Sequence, residues 1–170
     1  MSYATAALAT YTNMLATLDT LTSRASAHEK GEALLTARLA DDMFPLHTQI
    51  RFTLDQVRIA LNRLCSRDLT ADESDIASFA DAAARIAATQ DMVADAYHAT
   101  WPAADDMVDF DLPNGMAFAM QAHEYCRDWA TPQLYFHLMS VYAILRMEGV
   151  PIGKIDYVGH MMKYLRQPAA

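Results

Sequence analysis

The chain has 170 residues, 53% of them hydrophobic and only five of them glycine, which predicts one packed domain over residues 1–170 and excludes a disordered protein. Its formal net charge of −8, without any cluster of Lys or Arg, argues against a nucleic-acid partner, because phosphate groups would be repelled. Two cysteines are too few for a disulfide scaffold, and no signal peptide or membrane-spanning segment is visible, so we expect a soluble cytoplasmic protein with no membrane partner.

Two amphipathic helices are predicted in the first part of the chain. The first should end near Gly31, and its apolar face consists of Leu8, Tyr11, Leu15 and Leu18. The second is predicted to be capped by Asp41 or Asp42, with Pro45 tolerated in its first turn. Its apolar face consists of Ile50, Leu54, Val57, Leu61 and Leu64. Extended backwards by three residues, this face reaches His47, which should therefore point into the bundle.

A third helix is predicted to begin at Thr70–Glu73, where the spacing of Thr and Glu matches a capping box. The apolar face of this helix consists of Ile76, Phe79, Ala83, Ile86, Val93 and Tyr97. Gln90 is the polar residue on the same face. A buried amide needs a hydrogen-bond partner, so Gln90 should meet another polar side chain or lie near the wet end of the core.

The periodicity then changes from helical to alternating. Val108, Phe110 and Leu112 alternate with aspartates, and apolar residues recur at every second position after Asn114-Gly115. This pattern predicts a β-hairpin over about residues 107–120, with Asn-Gly in a type I′ turn and both aspartates on the outward face.

A short helix is expected at about residues 121–129, and Thr131-Pro132 is predicted to start the last long helix, which Gly149 ends. The spacing of its apolar residues places His137 on the inward face, about one turn from the helix start. The tail at about residues 160–170 should dock weakly or fray.

His47 and His137 are the candidate catalytic residues, because both extend apolar faces near a helix N-terminus. Such a position favours neutral imidazole, which suits proton transfer or metal binding. The alternative interpretation is that each is a core residue hydrogen-bonded to a neighbour. Gln90, Tyr135 and Arg51 are weaker candidates for ligand binding: aromatic packing is the alternative for the tyrosine, and a surface salt bridge for the arginine.

No metal site is predicted from spacing alone. A catalytic metal usually needs three protein ligands, and no HxxxH motif accompanies His137, since Gln133 and Val141 stand four residues away on either side. If a divalent metal is bound, the ligands would be His47, His137 and His123. No organic cofactor is expected, because dinucleotide and phosphate-binding fingerprints are absent from the sequence.

Two segments resemble an uncharacterised branch of the DinB/YfiT-like superfamily. LYFHLMSVYAILRMEGVPIGKIDYVG, residues 134–159, resembles the branch's C-terminal signature, and LLTARLADDMFPLHTQI, residues 34–50, resembles its upstream motif. The resemblance implies an all-α, up-and-down four-helix bundle, often dimeric, with a pocket at one end. Many superfamily members hold a divalent metal through three histidines, one from the second helix and two from an HxxxH in the last. His47 and His137 would take two of these places, and the third falls on Gln133 or Val141, which departs from the pattern.

Three functions remain open. The first is a small-molecule-binding bundle, acting as a metal-independent acid–base enzyme of isomerase or cyclase type. The second is a DinB-type transferase or isomerase that depends on a divalent metal in an atypical site. The third is a non-catalytic dimeric module. A small-molecule ligand and a second copy of the chain are therefore the expected partners.

Overall fold

The computed structural model describes residues 1–70 and 73–166. Within these ranges four long helices form the framework: α1 (Tyr3–Ser26), α2 (Leu46–Cys65), α3 (Phe79–Ala96) and α4 (Thr131–Met147). Short 3₁₀ segments cover Gly31–Thr36 and Gly159–Tyr164, and a single turn of helix, α5, covers Lys154–Tyr157. Helix α1 packs against α3 and α4, and α2 packs against the same two helices. The predicted helical bundle is confirmed.

The bundle core is built from the apolar faces that the sequence predicts for α1, α2 and α4. Its largest fully buried side chains include Tyr11, Leu15, Leu18, Ile50, Leu61, Leu134 and Leu138. On α3 the buried face is Phe79, Ala82, Ile86, Thr89, Val93 and Ala96. This face differs from the predicted one, because Ala83 and Tyr97 are exposed and Gln90 is only half-buried. None of the helices in the described residues is long and apolar enough to cross a membrane.

The predicted start of α2 is wrong by several residues. Helix α2 begins at Leu46, and Pro45 stands just outside it in an extended conformation, with φ −71° and ψ 168°. Proline disfavours helical geometry in the residue before it, so the helix cannot extend back to Asp41 or Asp42. The two aspartates are exposed in the turns that precede α2.

The start of α3 also differs from the prediction. The capping box at Thr70–Glu73 includes Ala71 and Asp72, which lie outside the described residues, and the helix itself begins at Phe79. Ser78 caps it, because its hydroxyl accepts a hydrogen bond from the backbone N–H of Asp81 at 3.0 Å. The Glu32 carboxylate accepts a second one from the backbone N–H of Phe79 at 3.0 Å. These two acceptors stabilise the positive end of α3.

The hairpin is confirmed, but its turn is not of the predicted type. Strands β1 (Met107–Asp111) and β2 (Ala117–Gln121) pair antiparallel, and Leu112 N–H donates to Met116 C=O at 2.8 Å. The loop therefore has three residues, with Gly115 at φ 86° and no positive φ at Asn114. A two-residue loop would require Pro113 to donate a backbone hydrogen bond to the opposite strand, and proline has no N–H.

The last long helix starts at Thr131-Pro132, as predicted, but the chain is already helical before it. A helical turn at Ala122–Glu124 and a π-helical segment at Tyr125–Ala130 lead into α4 without a break. At the end of the π-helical segment the Thr131 N–H donates to the C=O of Cys126, five residues earlier. This widened geometry accommodates Pro132, which would disrupt a regular helix interior.

The hairpin packs on the π-helical segment through a cluster of aromatic rings. Phe110 stacks on Phe118 with centroids 5.3 Å apart, and it meets Tyr125 at 5.5 Å and Trp129 at 5.1 Å. The Arg63 guanidinium of α2 lies 4.0 Å from the centroid of the Phe110 ring. A two-stranded hairpin is marginal alone, and these contacts fix it to one end of the bundle.

Candidate functional site

His137 is held by a glutamine from another helix. Its Nδ1 lies 2.9 Å from Oε1 of Gln49, a residue of α2. The amide nitrogen of Gln49 donates to the Phe44 C=O at 3.4 Å, which turns the amide oxygen towards the imidazole. An amide oxygen only accepts, so Nδ1 carries the proton and Nε2 carries the lone pair. The sequence interpretation missed Gln49, which shares the buried side of α2 with Leu46, Ile50 and Thr53.

The His137 imidazole is neutral at neutral pH. Burial lowers its pKa from 6.5 to about 4, because the partly buried cation loses hydration. The rings of Phe52 and Phe136 lie 5.1 and 5.2 Å away, and Phe44 packs on Phe52 at 5.1 Å. No side chain of the described residues donates to Nε2. His137 therefore presents Nε2 as a hydrogen-bond acceptor in one fixed orientation, surrounded by aromatic rings.

His47 lies on the other side of α2. It stands two positions before Gln49, which corresponds to about 200° around a helix. Its Nδ1 is 3.1 Å from the Thr48 hydroxyl and 3.4 Å from Oδ1 of Asp75. Arg51 Nε is 3.8 Å from the same carboxylate oxygen. The structure therefore groups His47 with Arg51 and Asp75, and it does not bring His47 to His137.

The remaining candidates are dispersed. Gln90 is half-buried on α3, Tyr135 is exposed on α4, and neither is hydrogen-bonded to a candidate histidine. His123 lies beside the hairpin, where its Nδ1 is 2.7 Å from the Ala104 C=O.

The residues present do not form a three-histidine metal site. In the part of the chain that the structure describes, no three or more His, Cys, Asp or Glu side chains are grouped so that they could hold a metal ion. Val141, four residues after His137, is a fully buried core residue. The place that HxxxH would fill is therefore part of the hydrophobic core.

The cysteines are not activated nucleophiles. Burial raises the pKa of Cys126 to about 12 and also raises the pKa of Cys65. A thiol reacts as its thiolate, so both side chains are poorly reactive at neutral pH.

Two clefts open on the surface of the described residues, away from His137. An open cleft of about 790 Å³ lies where the hairpin meets the end of α2, between Arg63, Trp101 and Asp109. A smaller one of about 210 Å³ lies between α2 and α3, and three arginines line it: Arg51, Arg58 and Arg85. Sequence reasoning found only Arg51 of these three, because the cleft depends on how two separate helices pack.

The comparisons with known proteins agree with this fold. A family model described as "Domain of unknown function (DUF1993)" matches residues 3–158. The chain is also similar to a crystal structure of a DinB family member protein from Shewanella denitrificans, with a TM-score of 0.72 and 25% sequence identity. That similarity covers 96% of this chain and 92% of the other. No curated protein matches the chain.

Proposed function

Because the chain belongs to the DUF1993 family and has a DinB-like bundle, we propose that it binds a small organic molecule at the end of the bundle where Gln49 holds His137, and that His137 exchanges a proton with it. The observation that carries the proposal is the imidazole itself: Nδ1 donates to Gln49, and Nε2 has no hydrogen-bond partner in the described residues. A half-buried ring held in one tautomer is prepared to accept a proton at one defined atom.

The low pKa of His137 restricts the kind of ligand that could react. A half-buried imidazolium without a counter-charge is unfavourable, so a proton moves to Nε2 only when the ligand acquires negative charge beside it. A hydroxyl group, or a carbon next to a carbonyl, can acquire that charge. The rings of Phe52 and Phe136 suit a ligand with an apolar part. Isomerisation or cyclisation by proton transfer fits these requirements.

The experiment is a ligand screen by NMR on the untagged protein, with a library of small alcohols, ketones and amides. We expect at least one compound to bind the wild type, to lose affinity in His137→Gln, and to keep it in His98→Gln, a control at an exposed histidine. Equal binding to all three proteins, or binding of no compound, would contradict the proposal.

A dimeric, non-catalytic module is the second candidate. It is supported by the outward face of α4, where Tyr135, Phe136, Met139 and Met147 are exposed. Large exposed apolar side chains on one helix face are typical of an interaction surface. Light scattering on the wild type and on Phe136→Ser tests it: a dimer that dissociates in the variant, together with a negative ligand screen, would favour this function.

The metal-dependent alternative requires His137 Nε2 to bind a divalent ion, since neutral imidazole is also a metal ligand. The other protein ligands would have to come from outside the three-histidine pattern, so the metal-dependent function is the least supported of the three. Elemental analysis of the untagged wild type and of His137→Gln separates it from the others: a stoichiometric metal that the variant lacks would place it first.

A further inference from the structure

We infer that the cleft between α2 and α3 binds a small organic carboxylate. The cleft has a volume of about 210 Å³. Its lining includes Arg51, Arg58 and Arg85, and the side chains of Leu54, Ala88 and Met92 make up its apolar wall. At about 30 Å³ per water molecule in the liquid, this volume corresponds to about seven waters, the size of a short-chain acid.

The charges along the cleft favour an anion. Arg51 and Arg58 are two helical turns apart on one side of α2, and Asp55 between them accepts from both, at 3.3 Å and 3.0 Å. One carboxylate cannot neutralise two guanidinium groups. Arg85 enters from α3 with its Nε 2.9 Å from Asp81. Asp81 thus compensates Arg85 from outside the cleft, and the positive charge that Asp55 does not neutralise belongs to the pair Arg51 and Arg58.

Arg51 keeps a donor that the fold does not satisfy. Its Nε is buried without a hydrogen bond, because Asp75, the carboxylate beside it, is 3.8 Å away and mostly exposed. The guanidinium is fixed against Phe52, 4.7 Å from the ring centroid. A buried donor left unpaired is unfavourable, so the fold satisfies the Arg51 guanidinium only in part, and an anion in the cleft would stabilise its charge.

The apolar wall selects the class of anion. Leu54, Ala88 and Met92 offer no hydrogen bonds to the oxygens of a phosphate, whereas a carboxylate with a short hydrocarbon chain suits a lining of arginines and apolar side chains. The cleft lies on the side of α2 that carries Arg51 and His47, away from Gln49, so this inference does not rest on the function proposed for His137.

Butanoate is the probe, and methionine-methyl NMR detects it through the Met92 signal, assigned with Met92→Leu. At constant ionic strength we expect butanoate to shift this signal saturably and butanamide, its neutral counterpart, to leave it unchanged. Arg51→Gln should weaken butanoate binding by about tenfold or more, because one charge-assisted contact is lost. The matched control is Arg127→Gln, since Arg127 is an exposed arginine that pairs with Asp128 outside the cleft.

Two further variants keep the test decisive if Arg51→Gln unfolds. Ala88→Leu fills the apolar wall without touching a charge and should abolish binding, whereas His137→Gln should leave it unchanged even if the function proposed for His137 fails. The inference is overturned if butanoate gives no saturable shift, if butanamide binds as well, or if folded Arg51→Gln binds like the wild type. Tighter binding of inorganic phosphate than of butanoate would overturn the choice of a carboxylate.

Discussion

Acidification should destabilise the protein through His137, and the sign of the effect follows from its surroundings. The pKa in the folded state is lowered from 6.5 to about 4, so the unfolded chain binds the proton more readily. The folded state therefore has its full stability above about pH 6.5 and loses it as the pH falls towards 4. Among the described residues no charged side chain is hydrogen-bonded to this imidazole, and Gln49 cannot compensate a positive charge as a carboxylate would.

The magnitude follows from the same values. A pKa difference from 6.5 to about 4 corresponds to at most about 3–4 kcal/mol, at about 1.4 kcal/mol per pKa unit. The side chain keeps contact with water, which screens the cost of charging, so we expect a loss of about 1–2 kcal/mol in the free energy of unfolding.

Urea unfolding of the wild type and of His137→Gln, followed by far-UV circular dichroism at several pH values, measures this term. His137→Gln removes the titrating group, so the wild type's advantage over the variant should shrink by about 1–2 kcal/mol between about pH 7 and about pH 4.5. His98→Gln controls for the loss of an exposed histidine. A difference that stays constant with pH, or that grows on acidification, would refute the reasoning, because it would mean that the folded protein does not disfavour the imidazolium.

Other parts of the structure give sharper local expectations. Gln49→Leu should lower the free energy of unfolding by about 1–3 kcal/mol, because the His137 N–H loses its acceptor; an effect below the error of a urea titration would contradict the hydrogen bond. Ser78→Ala should cost about 0.5–2 kcal/mol by removing the α3 cap, measured by thermal unfolding against Ser26→Ala, a serine at the end of α1 where no N-terminal cap is lost. The Cys126 thiol should react slowly with a disulfide reagent at about pH 8 in the native protein and rapidly in urea, and fast native labelling would show that it is not buried as described.

Much of the fold was predictable because apolar spacing identifies which side of a helix is buried. The faces of α1, α2 and α4 follow from it, and period two identified the hairpin. The start of α3 did not follow, because Thr70 and Ser78 are both good caps with an acidic residue three positions later. The carboxylate of Glu32, 47 residues away in sequence, accepts from the first N–H of the helix that starts after Ser78. Such a tertiary contact leaves no local pattern.

The candidate site was only half predictable for a similar reason. Periodicity predicted His137 on the inward face of its helix, but its partner Gln49 is 88 residues away, and no spacing rule connects them. Apolar spacing also predicted that His47 points inward like His137, whereas His47 lies beside Asp75. The buried face of a helix can be inferred from the sequence of that helix alone. Which residue lies opposite that face depends on how a second helix packs against it. Arg58 and Arg85 were missed because their convergence requires α2 and α3 to be in place.

The π-helical segment Tyr125–Ala130 has a consequence for cooperativity. Buried Cys126, Ala130, Leu134 and Leu138 recur at every fourth residue, and in a regular helix such a repeat drifts by about 40° at each step. The π-helical turns contain more residues per turn and so reduce this rotation. One buried stripe therefore begins beneath the hairpin and continues into the bundle core. The hairpin therefore packs on the same continuous helix that enters the bundle core. If the hairpin or the bundle opens, apolar groups of the other become exposed. They are expected to unfold as one cooperative unit, with amide exchange in β1 and β2 as slow as in the core of α4.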